Sequence, residues 1–434
     1  MIRVLVVSAE TWKNEMSGGN VLSNIFKDLD AEFAQIYCNP GAPRNTLCQY
    51  YYQMTDAMVL ANLLKRKPLG RRLLVPFSSC LNADNNATTS AVPRYYAFVK
   101  QWNLASISLI KDIVWLLSHW KNRELESFVR EFNPDVIFAP CYGSHFMLAL
   151  TRHIARFTGK PVVSYISDDH HSFRHFSFSP LFWLNRLLLR LNLGRTSRFY
   201  KLLYTMTEEQ KRECESFMTC PVKILRKSAS VDGLPMEKLI NQPIRLMFAG
   251  NLYVGRVHTL LAVAHAIRVI NQQGKRFELH VYSGYVPTAN ETTLLHDQTN
   301  TFFHGLIAPD LLAQKYQDSD IALHLESFSL GNRLKTRLSF STKITDCLSS
   351  GCAVMVVSWS EHAGFKYLQR HQAAICVDTC DKLLPALEQI SAHPSELLFF
   401  SQRAINLCRE LHDEKQIAND LARDFRMVTS VQSA

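Results

Sequence analysis

The sequence lacks the patterns that mark several large classes of protein. None of its eleven cysteines forms a Cys-x-x-Cys pair, and their odd number favours neither a disulfide framework nor a zinc site. No charge-free apolar run reaches about 18 residues, so no transmembrane helix is predicted. The first residues, MIRVLVVSAE, carry one cation and a short apolar run, which favours a first β-strand over a secretory signal. These absences predict a globular protein of the reducing cytoplasm.

What is present is the composition of a large folded protein. Hydrophobic residues make up 47% of the 434 residues and charged residues 20%, which excludes a disordered or collagen-like chain. A chain of this length exceeds what one core supports, so two domains are expected. The formal net charge is +10, and the segment KRKPLGRR, from Lys65 to Arg72, carries five of the cations. No recognised nucleic-acid motif accompanies this charge, so nucleic acid is not a predicted partner.

A second basic stretch extends from Phe176 to Lys201 and contains no acidic residue. Its five cations, which alternate with Trp, Phe and Leu, are Arg186, Arg190, Arg195, Arg198 and Lys201. This mixture is typical of a helix in an anionic membrane interface. It favours peripheral attachment to the cytoplasmic face of the inner membrane. An ordinary packed helix with a solvated basic face is the alternative.

Strand-like runs alternate with helical patterns along the chain, which predicts an α/β fold of parallel sheets wound with helices. The runs are VLVVSAE, FAQIYCN, DVIFAP, PVVSYIS and KLLYTM, then IRLMFAG, FELHVYSG, TFFHG, IALHLE, AVMVVS and AAICVD. Residues 104–132 are predicted to form one long helical stretch. A polar linker separates two Rossmann-like domains, at 1–235 and 236–412. A C-terminal helix over 413–434 is expected to cross back to the first domain.

One segment of the second half gathers polar groups where a parallel sheet binds ligands. It runs from His324 to Ser358 and reads HLESFSLGNRLKTRLSFSTKITDCLSSGCAVMVVS. Ligands bind beyond the carboxyl ends of the strands in open parallel sheets, and Glu326 directly follows the predicted strand IALHL. The next helix is predicted to open at Ser341 and Thr342. Its unpaired N–H groups would attract an anion such as a phosphate.

Two side chains of this predicted helix point to a nucleotide. Lys343 in its first turn opposes the helix macrodipole, at a cost of about 0.3 to 1 kcal/mol, unless an anion binds there. Asp346 lies three residues later on the same face, where its carboxylate could accept hydrogen bonds from a sugar diol. The segment FAGNLYVGR adds Gly250, Gly255 and Arg256 after a strand, which allows close backbone approach and supplies a second cation. An exposed Lys and a simple glycine turn are the alternatives.

The first half has a polar segment of its own, SDDHHSFRH, which starts at Ser167. Asp168 and Asp169 follow a predicted strand, so a polar contact to a bound substrate is predicted for them. A buried, hydrogen-bonded carboxylate is the alternative. No helical His pair or open-site ligand spacing fits a metal there, and no metal site is predicted.

Taken in order, these segments resemble the family 4 retaining glycosyltransferases, which have the GT-B fold. In the second half the resemblance rests on FAGNLYVGR, FFHGLIAPDLLAQKYQDSDIALHLESF, STKITDCLSSGCAVMVVS and CRELHDEKQIANDLARDF, and in the first on MSGGN, FNPDVIF and SYISDDHH. It implies two Rossmann-like, doubly wound parallel-sheet domains facing a central cleft. It also implies transfer of a sugar, with retention, from a nucleoside-diphosphate sugar to a glycan or lipid-linked acceptor in bacterial cell-surface polysaccharide synthesis. No metal and no other cofactor is implied.

The resemblance also implies roles for individual residues. Arg256 and Lys343 take positions that bind the donor diphosphate, and Asp346 takes that of an acid on the ribose hydroxyls. Glu326 matches a glutamate that touches the donor sugar. With Asp168 and Asp169 it makes up the candidate catalytic set. The remaining implied contacts are to the diphosphate, from Ser341, Thr342, Gly18, Gly19 and Gly250, and to the base, from Gly305, Leu306 and Ile307.

Two features depart from the family. Nineteen residues separate Glu326 from Asp346, where the family has seven, and the second acid is Asp. The extra segment, SLGNRLKTRLSF, carries arginines that could cover the phosphates. Two other functions stay open because functions change freely on shared folds. One is a nucleotide-sugar epimerase of the same fold, and the other is a non-catalytic partner subunit that keeps the fold.

Overall fold

The computed structural model describes residues 1–14, 17–75, 105–234 and 238–430. The chain divides into two compact units. The first comprises residues 1–225 and 415–434, and the second residues 226–414. The division therefore follows Leu225, whereas the sequence pattern placed the boundary at residue 235.

The first unit is built on one sheet of eight strands. They are β1 (Ile2–Ser8), β2 (Ala31–Tyr37), β3 (Cys48–Gln53), β4 (Arg71–Leu74), β5 (Val136–Pro140), β6 (Val162–Tyr165), β7 (Tyr200–Thr205) and β8 (Val222–Ile224). Their order is β4-β3-β2-β1-β5-β6-β7-β8, and only β3 and β4 pair antiparallel. The chain therefore winds outward in both directions from β1, the arrangement of a doubly wound sheet.

Helices alternate with these strands. They are α1 (Ser17–Phe26), α2 (Asp56–Lys65), α3 (Ala105–Leu117), α4 (Arg123–Phe132), α5 (His145–Thr158), α6 (Pro180–Ser197) and α7 (Glu208–Glu215). The single helical stretch predicted at 104–132 is wrong, because it forms the two helices α3 and α4. Asn122 starts the second one, since its side chain caps α4 by accepting a hydrogen bond from the Leu125 N–H at 2.9 Å.

The second unit is built on a six-stranded sheet. Its strands are β9 (Ile244–Ala249), β10 (Phe277–Tyr282), β11 (Thr301–Gly305), β12 (Ile321–Leu325), β13 (Ala353–Val357) and β14 (Ile375–Val377). The order is β11-β10-β9-β12-β13-β14, and every neighbouring pair is parallel. This is the Rossmann strand order, and its direction reverses between β9 and β12. β12 and β13 are buried along their whole length, as expected of central parallel strands.

The helices of the second unit lie between and after these strands. They are α8 (Arg256–Ile270), α9 (Ala289–Leu295), α10 (Pro309–Gln317), α11 (Leu330–Thr336), α12 (Thr342–Leu348), α13 (Ala363–Arg370), α14 (Leu383–Ala392) and α15 (Glu396–Leu411), with 3₁₀ turns at Asn271–Gln273 and Cys380–Lys382. Apolar side chains of α8 and α14 are buried in one core with those of β9 to β14.

The last helix, α16 (Glu414–Ser430), belongs to the first unit. Its Phe425 is fully buried, with ring centroids 6.3 Å from Phe26 and 6.4 Å from Phe138. Its Asp424 accepts a hydrogen bond from the Tyr204 hydroxyl at 2.8 Å and pairs with Lys223 at 2.5 Å. Both apolar and polar contacts therefore attach the end of the chain to the first sheet.

Every run predicted as a strand forms one, and three strands were missed. The β3 sequence, CQYYYQ, has no apolar alternation to identify it. The residues of β4 were read as part of a cationic segment, and β8 has only three residues. All three lie at or next to an edge of the sheet, where strands are less completely covered and their hydrophobic pattern is weaker.

Candidate active site

The candidate site lies at the carboxyl ends of β9 and β12, where the strand order of the second sheet reverses. Gly250 directly follows β9, and Glu326 directly follows β12. Ligands of doubly wound sheets bind at such a reversal point. Two of the residues singled out in the sequence are therefore brought to the position at which this topology binds ligands.

The loop between β9 and α8 has an unusual backbone. Gly250, Val254 and Gly255 all have positive φ, at 153°, 62° and 76°. A β-branched residue such as Val254 is strained in the left-handed region, by about 1 to 3 kcal/mol. Gly255 is the N-cap of α8 and supplies no side-chain cap, and no acidic residue occupies the first turn of that helix. The positive end of a helix of 15 residues is thus left without a neutralising side chain of its own.

The two glycines of this loop leave space for side chains from other parts of the second unit. A Cβ at Gly250 would lie 1.9 Å from the Nζ of Lys343. A Cβ at Gly255 would lie 2.6 Å from both the Ser327 Oγ and the Asn332 Nδ2. Only glycine therefore allows the Lys343 ammonium to cross over the end of β9.

Glu326 and Arg256 form a bidentate ion pair. The Arg256 Nε donates to Oε2 at 3.1 Å and its Nη2 to Oε1 at 2.8 Å. The Glu326 side chain is only 2% exposed and that of Arg256 is 19% exposed. Burial by itself would raise the pKa of the Glu326 carboxyl, but the neighbouring His362 and Arg256 outweigh it and lower that pKa. The carboxylate is thus ionised and turned toward the cation that was predicted to bind phosphate.

Two buried histidines adjoin this pair, and sequence reasoning missed them. The Nε2 of His324 lies 3.6 Å from the Glu326 Oε1, and burial lowers the pKa of His324 to about 3. His362 caps α13, its Nδ1 accepting from the Phe365 N–H at 3.3 Å, and burial also lowers its pKa. The His324 imidazole is therefore neutral near pH 7. A histidine inside the apolar run IALHL was the signal that could have identified the first of them.

Lys343 carries the second cation of the site. Burial lowers the pKa of its ammonium to about 8, and the charge of Arg256 acts in the same direction. Among the described residues, no carboxylate forms an ion pair with it, and the nearest aromatic contact is the Phe248 ring at 6.0 Å. The ammonium beside Gly250 therefore has no direct ion-pair partner in the part of the chain that the structure describes.

Asp346 and the start of α12 differ from the simple site predicted. The Asp346 carboxylate pairs with Lys227, a residue that sequence reasoning did not consider. Ser341 is the N-cap of α12, with Thr342 next to it, but the helix has only seven residues. A helix this short makes a weak anion site on its own. An anion would therefore be held mainly by side chains and by the N-terminus of α8.

The extra segment between Glu326 and Asp346 folds as helix α11. Its Asn332 lies against Gly255, as described above, and the Arg333 guanidinium stacks 4.6 Å above the Trp359 ring. Trp359 follows β13, so this arginine is also held at the carboxyl edge of the sheet. The long spacing between the two acids thus corresponds to an ordered helix beside the diphosphate-binding candidates.

The predicted base contacts lie at the carboxyl end of β11. Gly305 ends that strand with φ of 75°, and Leu306 is 84% exposed. Leu306 packs beside Gly284, where a Cβ would lie 3.0 Å from its Cδ2. With Ile307 these residues form an edge two strands away from β9.

The first-half candidates are in the first unit. Asp169 is buried, and its carboxylate accepts from the Ser172 N–H at 2.9 Å and the Ser172 hydroxyl at 2.5 Å. It also pairs with the buried Arg186 at 3.5 Å. These contacts match the alternative of a satisfied structural carboxylate. Asp168 is exposed and borders a cavity of about 10 Å³, room for about one water molecule.

Gly18 and Gly19, the other first-half candidates, lie in the first turn of α1. They belong to the first unit. Their proposed contact to the diphosphate stays a prediction.

The basic stretch from Phe176 to Lys201 is less uniform than its sequence indicates. Arg186 is buried against Asp169, and Arg190 stacks on Phe217 at 4.7 Å. The exposed face of α6 is instead apolar; it comprises Leu181, Leu184, Leu187, Leu188 and Leu191. The fold therefore supplies contacts for two of the five cations, Arg186 and Arg190.

Over the described ranges, no group of three or more His, Cys, Asp or Glu side chains is placed to hold a metal ion. None of the helices within those ranges is long and apolar enough to cross a membrane.

Comparison with known proteins identifies the fold. No protein-family model and no curated protein matches the sequence. Sucrose-phosphate synthase from Thermosynechococcus elongatus superposes with a TM-score of 0.62 at 11% identity, over 99% of this chain and 100% of that one. The α,α-trehalose-phosphate synthase (UDP-forming) from Burkholderia xenovorans, in complex with glucose-6-phosphate, gives 0.59 at 13% identity, over 98% and 100%. The chain has the GT-B fold.

A third structure, described as trehalose-6-phosphate from E. coli bound with UDP-2-fluoro glucose, gives a TM-score of 0.60 at 10% identity, over 98% of both chains. The predicted fold class is therefore confirmed. At such identities the likeness establishes the fold alone, and the activity has to be argued from the site.

Proposed function

We propose that this protein is a glycosyltransferase that moves a sugar from a nucleoside-diphosphate sugar to a glycan or lipid-linked acceptor. The observation that carries the proposal is the pair of cations at the reversal point of the second sheet. Glu326 neutralises Arg256, whereas Lys343 has no carboxylate partner among the described residues. A diphosphate would supply the missing negative charge. The complexes with UDP-2-fluoro glucose and glucose-6-phosphate on the same fold support this ligand class.

The site can stabilise a leaving diphosphate. Arg256 uses two of its five N–H donors on Glu326, so three remain for phosphate oxygens. Lys343 adds three more donors and a full charge. Preorganised charges aimed at developing negative charge are commonly the largest contribution to such catalysis. The missing Cβ at Gly250 leaves room for Lys343 to approach a phosphate closely.

We take the transfer to proceed with retention, on the family resemblance. The acceptor hydroxyl attacks the face from which the diphosphate leaves. The bond between the anomeric carbon and the phosphate oxygen breaks, and a bond from the acceptor oxygen to that carbon forms. The acceptor proton passes to the departing diphosphate. This course needs neither a protein nucleophile nor a metal, in keeping with the prediction of a cofactor-free enzyme.

The remaining contacts of the nucleotide follow from the same proposal. Asp346 would accept hydrogen bonds from the ribose hydroxyls with the carboxylate oxygen that Lys227 does not use. Gly305, Leu306 and Ile307 would lie along the base. Glu326, being buried against Arg256, would act first by orienting that guanidinium.

The acceptor side is proposed from the resemblance and from one surface. Lipid-linked acceptors of bacterial cell-surface polysaccharide are presented at the cytoplasmic face of the inner membrane. The exposed leucines of α6 would lie against that surface, and Arg195 and Arg198 at the end of the helix are exposed as well. In this proposal α6 contacts the membrane mainly through its apolar face, whereas the sequence had indicated a contact made mainly by cations.

A thermal-shift panel of nucleoside-diphosphate sugars tests the proposal. A ligand at 100 times its dissociation constant should stabilise the protein by about 2.7 kcal/mol. The matched control is Arg256→Gln combined with Lys343→Gln, which should lose this response. Product formation from the stabilising donor and a polysaccharide-type acceptor is then measured. A panel in which no sugar nucleotide distinguishes wild type from the double variant would contradict the proposal.

One observation favours a second candidate, a non-catalytic sugar-nucleotide-binding subunit. Glu326, the acid assigned to the donor sugar, is only 2% exposed and is paired with Arg256. Asp169, another candidate catalytic acid, already accepts hydrogen bonds from Ser172. Binding without turnover on any acceptor would support this candidate. An epimerase is distinguished by turnover of the donor alone, with no acceptor present.

A further inference from the structure

A cavity in the first unit coincides with the cationic segment that the proposed function leaves unused. Its volume is about 540 Å³. The loop after α2 lines one side with Arg66 and Lys67, and the turn between α3 and α4 lines the other with His119 and Arg123. None of the residues that surround Gly250 lines it. A cavity of this size can hold a small polar ligand.

The lining is positively charged. Arg66, Lys67 and Arg123 are exposed, and no described carboxylate forms an ion pair with any of them. Glu124 is the one acidic residue of the lining. Since three cations face one carboxylate, the cavity has an excess of positive charge. An anion is the ligand that this balance fits.

The loop that carries two of these cations is held by two asparagine side chains, of which Asn62 is buried. The Asn62 side chain donates to the Lys67 carbonyl at 2.8 Å and accepts from the His119 N–H at 3.0 Å, which joins both walls of the cavity. The Asn122 Nδ2 donates to the Leu69 carbonyl at 2.7 Å. The backbone of this loop is therefore held in place, and a ligand would lose little affinity to loop ordering.

The cavity adjoins exposed apolar side chains on two helices that pack together, α2 and α3. Leu63 and Leu64 lie in the last turn of α2, and Leu64 is 79% exposed. Leu116 and Leu117 end α3, and Leu117 is 69% exposed. The cavity begins directly beyond the carboxyl ends of both helices. Exposed leucines beside unpaired cations are typical of a surface that enters the headgroup region of an anionic bilayer.

We propose that this cavity binds the phosphate headgroup of an anionic membrane lipid while Leu64 and Leu117 enter the acyl boundary. Arg66, Lys67 and Arg123 supply the charge-assisted hydrogen bonds to the phosphate. A soluble phosphate would engage the same cations but would gain nothing from the leucines. The apolar rim therefore favours the lipid as the source of the anion. The site is in addition to the surface on α6 and does not depend on the proposed catalysis.

Vesicle flotation of the full-length protein tests the inference. Phosphatidylcholine vesicles with about one third phosphatidylglycerol are compared with pure phosphatidylcholine, at physiological salt. The test variant combines Arg66→Gln, Lys67→Gln and Arg123→Gln. The control combines Arg276→Gln, Arg409→Gln and Lys415→Gln, which removes the same charge from exposed positions elsewhere.

The expected result is a loss of binding confined to the test variant. A cation near an anionic surface contributes about 1 kcal/mol, which is roughly fivefold in partitioning, so three should give at least a tenfold loss. Leu64→Ser with Leu117→Ser should also lower binding. Equal binding of test and control variants overturns the inference. So does a response to soluble glycerol phosphate with vesicle binding unaffected by the leucine variant, since that outcome assigns the cavity to a soluble phosphate.

Discussion

At the scale of single residues, the candidate site is a set of charges in which one cation is compensated and another is not. Glu326 holds Arg256 in a bidentate pair with 2% of the carboxylate side chain exposed. Removing one partner of a buried pair leaves the other charge uncompensated, which is costly. Lys343 has a lowered pKa instead, because burial and Arg256 both disfavour its charged form. An anionic ligand would favour the charged form of Lys343, because it would offset the repulsion from Arg256. Ligand affinity and the protonation of Lys343 are therefore coupled.

The pKa of Lys343, about 8, predicts a pH dependence of nucleotide binding. Below that pH the ammonium is charged and binds the diphosphate, and above it the charge is lost. Affinity should therefore fall roughly tenfold or more as the pH rises from about 7 to about 9. Isothermal titration with the stabilising nucleotide checks this. Lys343→Arg keeps its charge throughout this pH range and serves as the control. If the affinity of this variant falls with pH as much as that of wild type, another group is responsible for the titration.

Glu326→Gln should lower the transfer rate far more than donor affinity. Glutamine keeps one acceptor for Arg256 but loses the charge and the second hydrogen bond, so the guanidinium is less well oriented. We expect kcat to fall roughly 10- to 100-fold, because small misplacements of a catalytic group have effects of this size. Steady-state kinetics and direct binding measure the two quantities. A rise in KM with kcat unchanged would indicate uniform binding and refute the assigned role.

Asp346→Asn should reduce the preference for a ribose donor over its 2′-deoxy analogue. When a hydroxyl is missing, the carboxylate oxygen that Lys227 does not use is left without a donor, so wild type should discriminate against the 2′-deoxy analogue. The matched control is Lys227→Met, which breaks the same ion pair while keeping the carboxylate. Affinities for both donors are measured for each variant. If both substitutions change stability alone and leave the ratio unaltered, the pair is structural.

At the scale of elements, the site depends on loops that glycine makes possible and on one inserted helix. The β9–α8 loop has three residues with positive φ, and its two glycines leave space for Lys343, Ser327 and Asn332. Helix α11 fills part of that space from the extra segment after β12. A tight loop against an ordered insertion restricts where a ligand can lie. This arrangement accounts for a long acid-to-acid spacing without a disordered loop.

Gly250→Ala should weaken nucleotide binding by at least about tenfold. A Cβ at this position would lie 1.9 Å from the Lys343 Nζ, so the ammonium has to move away from the end of β9. Gly274→Ala is the matched control. It also has a positive φ, at 121°, but nothing lies within 4 Å of the added carbon. Similar losses of affinity in both variants would trace the effect to backbone strain and not to displacement of Lys343.

At the scale of the whole molecule, the chain makes two α/β units and returns to the first at its end. Residues 415–434 belong to the first unit although the second unit precedes them in sequence. The contacts that hold α16 are the Phe425 ring and the Asp424 carboxylate. The stability of the first unit therefore depends on residues at both ends of the chain.

Asp424→Ala should lower the free energy of unfolding of the first unit by about 1 to 3 kcal/mol, because it leaves the buried Tyr204 hydroxyl without its acceptor. The Lys223 partner is 41% exposed and adds little. Asp424→Asn keeps an acceptor and should lie between wild type and alanine. Urea denaturation followed by circular dichroism measures the series. Asp420→Ala, on the solvent side of the same helix, is the control, and an equal loss there would show that the buried hydrogen bond contributes nothing special.

The sequence alone determined the fold class, because parallel central strands are buried on both faces and read as apolar runs such as IALHL and AVMVV. It also located Gly250, Glu326 and Lys343, since residues that follow such strands gather at one edge of the sheet. It did not determine which charges are free. The partners of Asp346, Asp169 and Arg186 are distant in sequence or differ from the expected ones, so no local pattern encodes them.

The positions of His324 and His362 and the packing of α11 were likewise decided only by tertiary structure. A buried imidazole and an exposed one have the same letter in a sequence, and burial sets the protonation state. The cations of the segment from Lys65 to Arg72 are a final example. The sequence shows that there are five of them. Only the folded structure shows that Arg66 and Lys67 line a cavity, whereas Arg71 and Arg72 donate hydrogen bonds to Gln53 and Glu131. Charge is a property of the sequence, whereas its compensation depends on which groups the fold brings within hydrogen-bonding distance.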